Sequence, residues 1–145
     1  MDVICRPIIP DDLVNLEKIG GHRVDGLADW LEQKAFAGLV AHAPTDDQAS
    51  QNILGYIVGF SVDQDAEIID LCVGSAYRRK GIARLLIEQF CHRFGNQMTY
   101  LEVARLNSPA HDLYQSVGFI EYGVRKAYYH TAEGVDDAIL MRKQG

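Results

Sequence analysis

Cysteine is scarce in this chain: Cys5, Cys72 and Cys91 are odd in number, widely separated and set mostly among apolar neighbours. Neither a disulfide framework nor a zinc site fits that spacing, and a reducing compartment does. Long apolar runs are lacking too. None approaches the roughly 18 residues that cross a bilayer, and the N-terminus opens Met1-Asp2 without a basic segment. A cytoplasmic location and no membrane partner are expected. Positive charge is also in short supply, with 14 Lys and Arg against 20 Asp and Glu and a net charge of −6. Nucleic-acid surfaces collect Lys and Arg into stripes, so no direct nucleic-acid partner is expected, and any polymer partner should be basic. Internal repeats, low-complexity segments and linkers are missing as well. One domain over residues 1–145 is expected, as a monomer or weak dimer.

What is present is an ordinary globular composition, 48% apolar and 23% charged. A chain of this length buries about two thirds of its unfolded surface. Residues 3–9 are β-branched and apolar but carry Pro7, which cannot donate to a ladder and so predicts an edge strand. Pro10-Asp11-Asp12 starts a helix with Leu13, Leu16 and Ile19 inward, and Gly20-Gly21 stops it. A second short helix places Val24, Leu27, Ala28 and Leu31 on one face. Residues 35–43 and 53–62 read as strands around a polar loop at 44–52. A turn at Asp63-Gln64-Asp65 leads into a strand at 66–73 that reads as buried on both faces.

Helical period returns at 81–94, with Ile82, Leu86, Phe90 and Phe94 on one stripe and Gly95-Asn96 as the stop. Residues 99–103 are the next strand. Ser108 is the expected cap of a helix with Pro109 first and Ala110, Leu113, Tyr114 and Val117 inward, ended by Gly118. Two strands at 119–129 and 136–142, joined by a turn at 131–134, finish the chain. The order β-α-α-β-β-β-α-β-α-β-β is a mixed α/β layered fold.

The most informative segment joins strand 66–73 to helix 81–94 through a basic turn. Free N–H groups at a helix start attract phosphate oxygens, and the small Gly81 and Ala83 let a ligand come close to the backbone. A solvated basic turn is the plain alternative. Neither G-x-x-x-x-G-K-[ST] nor G-x-G-x-x-G occurs, which argues against a nucleoside triphosphatase and a nicotinamide enzyme. In strand 99–103 alternation sets Leu101 and Val103 on one face and Tyr100 and Glu102 on the other. A carboxylate inside an apolar strand is either paired structurally or placed as a general base. Tyr114 reads as a core aromatic whose hydroxyl could serve a leaving group, and Asn107 as a loop residue.

Arg78-Arg79-Lys80-Gly81-Ile82-Ala83 resembles the [QR]-x-x-G-x-[GA] coenzyme A motif of the GCN5-related N-acetyltransferases (GNAT), and the strand order matches that family. Leu101-Glu102-Val103, Asn107, Leu113-Tyr114-Gln115-Ser116-Val117-Gly118-Phe119, Arg125 to His130 and Glu133 to Met141 resemble its RimI branch, the ribosomal-protein-alanine N-acetyltransferases. The resemblance implies a three-layer fold with a mostly antiparallel sheet splayed between strands 4 and 5. It implies acetyl-CoA as cosubstrate, no metal, a pyrophosphate held by Arg79, Lys80, Gly81, Ile82, Ala83 and Arg84, Arg78 as a further cofactor-binding residue, and a pantetheine arm along Leu71, Cys72 and Val73. Glu102 would accept the proton of the amine, Tyr114 would donate to coenzyme A, and Asn107 would contact the coenzyme. The implied reaction is direct attack by a protein N-terminal α-amine, with a basic ribosomal protein as substrate.

The chain departs from the branch on the acceptor side. Ala104 and then Arg105 follow Leu101-Glu102-Val103 where the branch has Arg directly, and residues 20–43 lack its Pro-Trp stretch, with Trp30 in a different, packed setting. Tyr128 and Tyr129 are candidates either for closing over a peptide terminus or for cross-strand packing. A small amine (polyamine, aminoglycoside or amino acid) as acceptor, and a module that only senses acyl-CoA, are the competing functions. His22, His42, His92, His111 and His130 have no ligand spacing, and His111 reads as surface. Cys72 and Cys91 are poor nucleophiles, because apolar surroundings raise a thiol's pKa.

Overall fold

The computed structural model describes residues 2–19, 26–44, 52–93 and 97–145. Seven strands form one sheet: β1 (Ile4–Pro7), β2 (Phe36–His42), β3 (Ile53–Val62), β4 (Asp65–Val73), β5 (Met98–Ala104), β6 (Ile120–Thr131) and β7 (Gly134–Gln144). The helices are α1 (Leu13–Ile19), α2 (Leu27–Trp30), α3 (Ile82–Arg93) and α4 (Ser108–Ser116). The sheet order is β1-β2-β3-β4-β5-β7-β6. All neighbours are antiparallel except β4 and β5, which run parallel. Pro7 lies on an edge strand as its missing N–H requires.

Alternation along the strands feeds two cores. On one face Leu39, Ile57, Ile68, Leu101 and Met141 pack with Ile82, Leu86, Ile87 and Phe90 of α3, and Leu113, Tyr114 and Val117 of α4 lean on the same cluster. On the other face Val40, Tyr56 and Val58 meet Leu16 of α1 and Leu27 of α2, with Trp30 edge-on to Phe60 at 5.3 Å. This is the three-layer arrangement expected from the sequence.

Asp12 anchors the entry to α1. It is buried, takes two 2.8 Å bonds from the Arg6 guanidinium and accepts from the Ile9 N–H at 2.9 Å. Burial opposes its ionisation, but the bonds from Arg6 and Ile9 outweigh that and hold the carboxyl below its usual range. A depressed folded pKa contributes stability above the unfolded value of about 3.9 that is lost as pH falls through the folded value. Asp12→Asn should therefore cost about 2 kcal/mol at pH 7. In urea melts, the gap between wild type and variant should close below about pH 4.

Several local expectations need correction. The helix α4 is capped by Asn107, whose Oδ1 accepts from the Ala110 N–H at 3.3 Å, and not by Ser108, which is the first helical residue. The amide oxygen of an Asn at this position reaches the N–H of the third helical residue, as the hydroxyl of a capping Ser would. Ala28 is exposed, because α2 is a single turn that buries only Leu27. The strand β4 is not buried on both faces: from Ile69 to Val73 every residue is half-buried, since β5 leaves its side. The expected signals at Gly20-Gly21, Val24, Phe94, Gly95-Asn96 and loop residues 45–51 lie outside the described residues.

Candidate active site

The strands β4 and β5 pair only at Ala66↔Thr99 and Glu67↔Tyr100. Beyond that point β5 continues beside β7 and β4 beside β3, so the edge of Ile68 to Val73 that faces β5 carries no ladder partner. A one-residue bulge helps to separate them. Val58 pairs with Asp70 and Gly59 with Ile68, which leaves Ile69 as the extra residue. Gly59 makes the bulge possible, because a Cβ there would collide with the Glu67 carbonyl and with Phe90. Leu71, Cys72 and Val73 lie on this open stretch, whose free N–H and C=O groups suit an extended amide-bearing ligand.

The open edge leads into the basic turn. Gly74 N–H donates to Leu54 O at 2.8 Å, the 3₁₀ turn Ser75–Tyr77 follows, and Arg78 returns its Nε to Val73 O at 3.3 Å. Arg79 (φ +62°) and Gly81 (φ +79°) are both left-handed, flanking Lys80. Alternating hands of this kind turn successive N–H groups toward one side and form an anion-binding concavity. The first intrahelical bond runs from Leu85 to Gly81, so the N–H groups of Ile82, Ala83 and Arg84 have no helical acceptor. Nothing lies within 4 Å of a Cβ built on Gly81, so the space beside it is open. The Arg84 side chain pairs with Glu88 at 3.0 Å and reaches Ser116 at 3.4 Å. These residues fit the diphosphate of a coenzyme, through backbone and not through a packed side-chain cage.

Glu102 points to the face opposite α3, as alternation predicts, and stays 21% exposed. Its partner is Arg125 of β6, Nε to Oε1 at 3.3 Å. Glu102 and Arg125 line an open pocket of about 220 Å³ with Asp63, Asp65, Glu67, Tyr100 and Tyr122. Burial pushes the Glu67 carboxyl up, the charge of Glu102 pushes it further, and Arg125 pulls it down. Arg125 stands in an exposed strand without periodic signal, and enters the sequence reading only within the stretch 125–130 that resembles the branch, with no role attached. Glu67 was detectable in principle, as a second carboxylate inside an apolar strand.

Tyr114 packs edge-on to Phe119 at 5.8 Å, on the inward face of α4. Its phenol is pushed up to about 12, by burial first and then by Asp70 and Tyr129. It is thus a neutral O–H donor at physiological pH, set among residues of the open β4 stretch and of β6. Asp70 accepts from the buried Tyr56 hydroxyl at 2.7 Å, and that phenol is pushed up by burial and by the same carboxylate. Asn107 sits at the exposed start of α4.

Arg105 pairs with Asp137 of β7 at 3.5 Å, so it is not aimed into the Glu102 pocket. Tyr128 and Tyr129 touch each other edge-on at 5.1 Å, and the Arg125 guanidinium lies 5.7 Å from the Tyr128 ring, so these side chains pack together along β6. His111 is half-buried and bonds Glu121 of β6, which corrects its reading as surface. Burial pushes the thiols of Cys72 and Cys91 up, as their apolar settings predict.

The splayed sheet and the helix-terminal anion turn suit an acyltransferase of the coenzyme A-using type. The family model for the acetyltransferase (GNAT) family matches residues 10–119, and the chain belongs to that family. It is 34% identical over 119 residues to the ribosomal protein bS18-alanine N-acetyltransferase of Escherichia coli strain K12, covering 77% of this chain and 78% of that one. Its fold matches the crystal structure of the ribosomal-protein-S18-alanine N-acetyltransferase from Escherichia coli with a TM-score of 0.84 at 24% identity, over 99% and 94% of the two chains. It also matches Arabidopsis thaliana NAA60 in complex with acetyl-CoA, with a TM-score of 0.83 at 22% identity, over 99% and 98%. The chain is thus an N-acetyltransferase of that family, similar to the ribosomal-protein-alanine enzymes.

Proposed function

We propose that this chain, as a single domain over residues 1–145, transfers the acetyl group of acetyl-CoA to the α-amino group of a protein N-terminus. The observation that carries the reading is the gap between β4 and β5, with the anion turn at one end and the Glu102 pocket beside it. Acetyl-CoA would lay its pantetheine amides along Leu71, Cys72 and Val73. Its diphosphate would take the N–H groups of the turn from Arg79 to Arg84. The E. coli relative, named for ribosomal protein alanine, supports the acceptor class.

In this reading the neutral amine attacks the thioester carbonyl, the new N–C bond forms as the C–S bond breaks, and no enzyme acyl intermediate arises. The proton leaves the amine for Glu102, directly or through water. An α-amine with a pKa near 8 releases it more readily than lysine at about 10.4. The thiolate leaves with the C–S electron pair and takes a hydrogen bond from Tyr114. Full transfer from a phenol at about 12 to a thiolate of ordinary pKa near 8.5 would be uphill by roughly 5 kcal/mol, so Tyr114 stabilises by hydrogen bonding.

One observation favours a small polycationic amine as a second reading: four carboxylates, Asp63, Asp65, Glu67 and Glu102, face Arg125 alone in the acceptor-side pocket. An Ala-starting peptide, spermidine and an aminoglycoside should be compared by thiol release from acetyl-CoA. Turnover with the peptide alone supports N-terminal acetylation, and turnover with only the small amines moves the acceptor to the second reading. Binding without turnover would leave a sensor, for which a base and a phenol donor have no use.

Gly81→Val tests the turn separately. A β-branched residue at φ +79° costs about 2 kcal/mol of strain and rotates the N–H groups away, so the KM for acetyl-CoA should rise roughly tenfold or more while the acceptor KM holds.

A further inference from the structure

Two consecutive residues of β7, Asp136 and Asp137, hold two segments that lie on different sides of the site. The first is the turn after β5, which leads from Glu102 to Asn107. Arg105 N–H donates to Asp137 O at 2.9 Å, Leu106 N–H donates to Asp136 Oδ2 at 3.0 Å, and Asn107 N–H closes on Ala104 O at 2.9 Å. The second is a wide bulge in β6. Arg125 pairs with Ala138 and Tyr129 with Asp136, so Lys126, Ala127 and Tyr128 stand opposite the single Asp137. Ala127 is left-handed there, at φ +53°, a strained choice for a residue with a Cβ. Its N–H, which has no ladder partner in the bulge, donates to Asp137 Oδ1 at 2.8 Å. The other oxygen of that carboxylate faces the Arg105 guanidinium at 3.5 Å, and Asp136 Oδ1 accepts from Asp137 N–H at 2.8 Å, which orients the pair.

We propose that Asp137 is a positioning residue that couples the coenzyme-side turn at Arg105 to Asn107 with the acceptor-side bulge that carries Arg125, Tyr128 and Tyr129. The inference rests on the coenzyme and acceptor sides assigned above. It goes beyond them, because Asp137 touches neither reactant in that scheme. A bulge needs an acceptor for its stranded N–H, and a solvent molecule would serve that need. A carboxylate shared with the neighbouring turn does more: ordering either segment narrows the positions open to the other. Coenzyme seated against Asn107 would thereby settle the Arg125 and Tyr128 side chains before the acceptor arrives. Such coupling is reciprocal, so an acceptor would equally tighten the coenzyme.

Hydrogen exchange read on fragments covering residues 124–130, with and without saturating acetyl-CoA, tests this without any acceptor. Wild type should slow about tenfold on binding; Asp137→Asn, whose Oδ1 still accepts from Ala127 but whose amide nitrogen cannot take the Arg105 guanidinium, should lose most of that slowing at a near-wild-type melting temperature, and Asp137→Ala should lose it too. With an Ala-starting peptide, Asp137→Ala should raise the acceptor KM roughly tenfold at a kcat within about threefold of wild type. No slowing in wild type that has bound acetyl-CoA, or undiminished slowing in Asp137→Ala, would overturn the coupling. So would an equal loss in both variants with a shared fall in melting temperature, which marks a merely structural residue. Failure to bind acetyl-CoA at all, measured separately by titration, would sink the functional reading itself and the coupling with it.

Discussion

Glu102→Gln should lower kcat for an Ala-starting peptide by about 10²- to 10³-fold at pH 7.5, with little change in the KM for acetyl-CoA. The amide keeps the shape of the side chain and still reaches the pocket, but it cannot take the proton that the amine must lose. The loss should be smaller at high pH, where the acceptor arrives already neutral and needs less help. Stopped-flow thiol release across pH 6 to 10 reads both effects. Stability should change little, because the Arg125 pair that the variant weakens is 57% exposed on the arginine side, and exposed pairs contribute about 1 kcal/mol or less. A kcat within threefold of wild type across the whole range would remove Glu102 from the chemistry.

Tyr114→Phe should lower kcat by about 10²-fold while leaving acetyl-CoA binding nearly intact, since the ring that packs against Phe119 is retained. The pH profile adds an independent check. With the phenol pushed up to about 12, wild type should show no basic limb from Tyr114 through pH 10, and its neutral O–H should serve throughout. A falling limb near pH 9 that disappears in the variant would contradict this placement. The fold should tolerate the change, because the ring that packs α4 against Phe119 and the core is kept.

These two residues were readable from the sequence for different reasons. Glu102 followed from period-2 alternation in a strand that is central, with β4 on one side and β7 on the other, so its departure from the apolar pattern carried meaning. Tyr114 lies on a helical stripe like any core aromatic, and only the resemblance singles it out; its setting beside Asp70 and Tyr129, which keeps the phenol neutral, joins segments that a linear pattern cannot bring together. The anion turn was legible because strand, basic turn and small residues are contiguous, so local chemistry sufficed.

What escaped the sequence depends on pairing between distant segments. The loss of a partner for Ile68 to Val73 arises where β4 and β5 part after Glu67 and Tyr100, next to a bulge at Ile69, and neither leaves a mark in the string, which reads as a strand buried on both faces. The Glu102–Arg125 pair joins two strands that are separated in the sheet by β7. His111 reads as surface in the sequence because its bond to Glu121 crosses from α4 to β6, which no local pattern shows. The cap of α4 moved by one residue, from Ser108 to Asn107, because both side chains can satisfy the same N–H groups and the backbone decides between them.

The central claim, acetylation of a protein N-terminus, is tested most directly by locating the acetyl group on product. A peptide beginning with Ala and carrying one internal Lys should be incubated with the protein and acetyl-CoA, with spermidine present as a competitor, and fragmented by mass spectrometry. The account predicts the acetyl group on the α-amino nitrogen of the first residue. Label on the Lys side chain alone, or on spermidine with the peptide untouched, would contradict it.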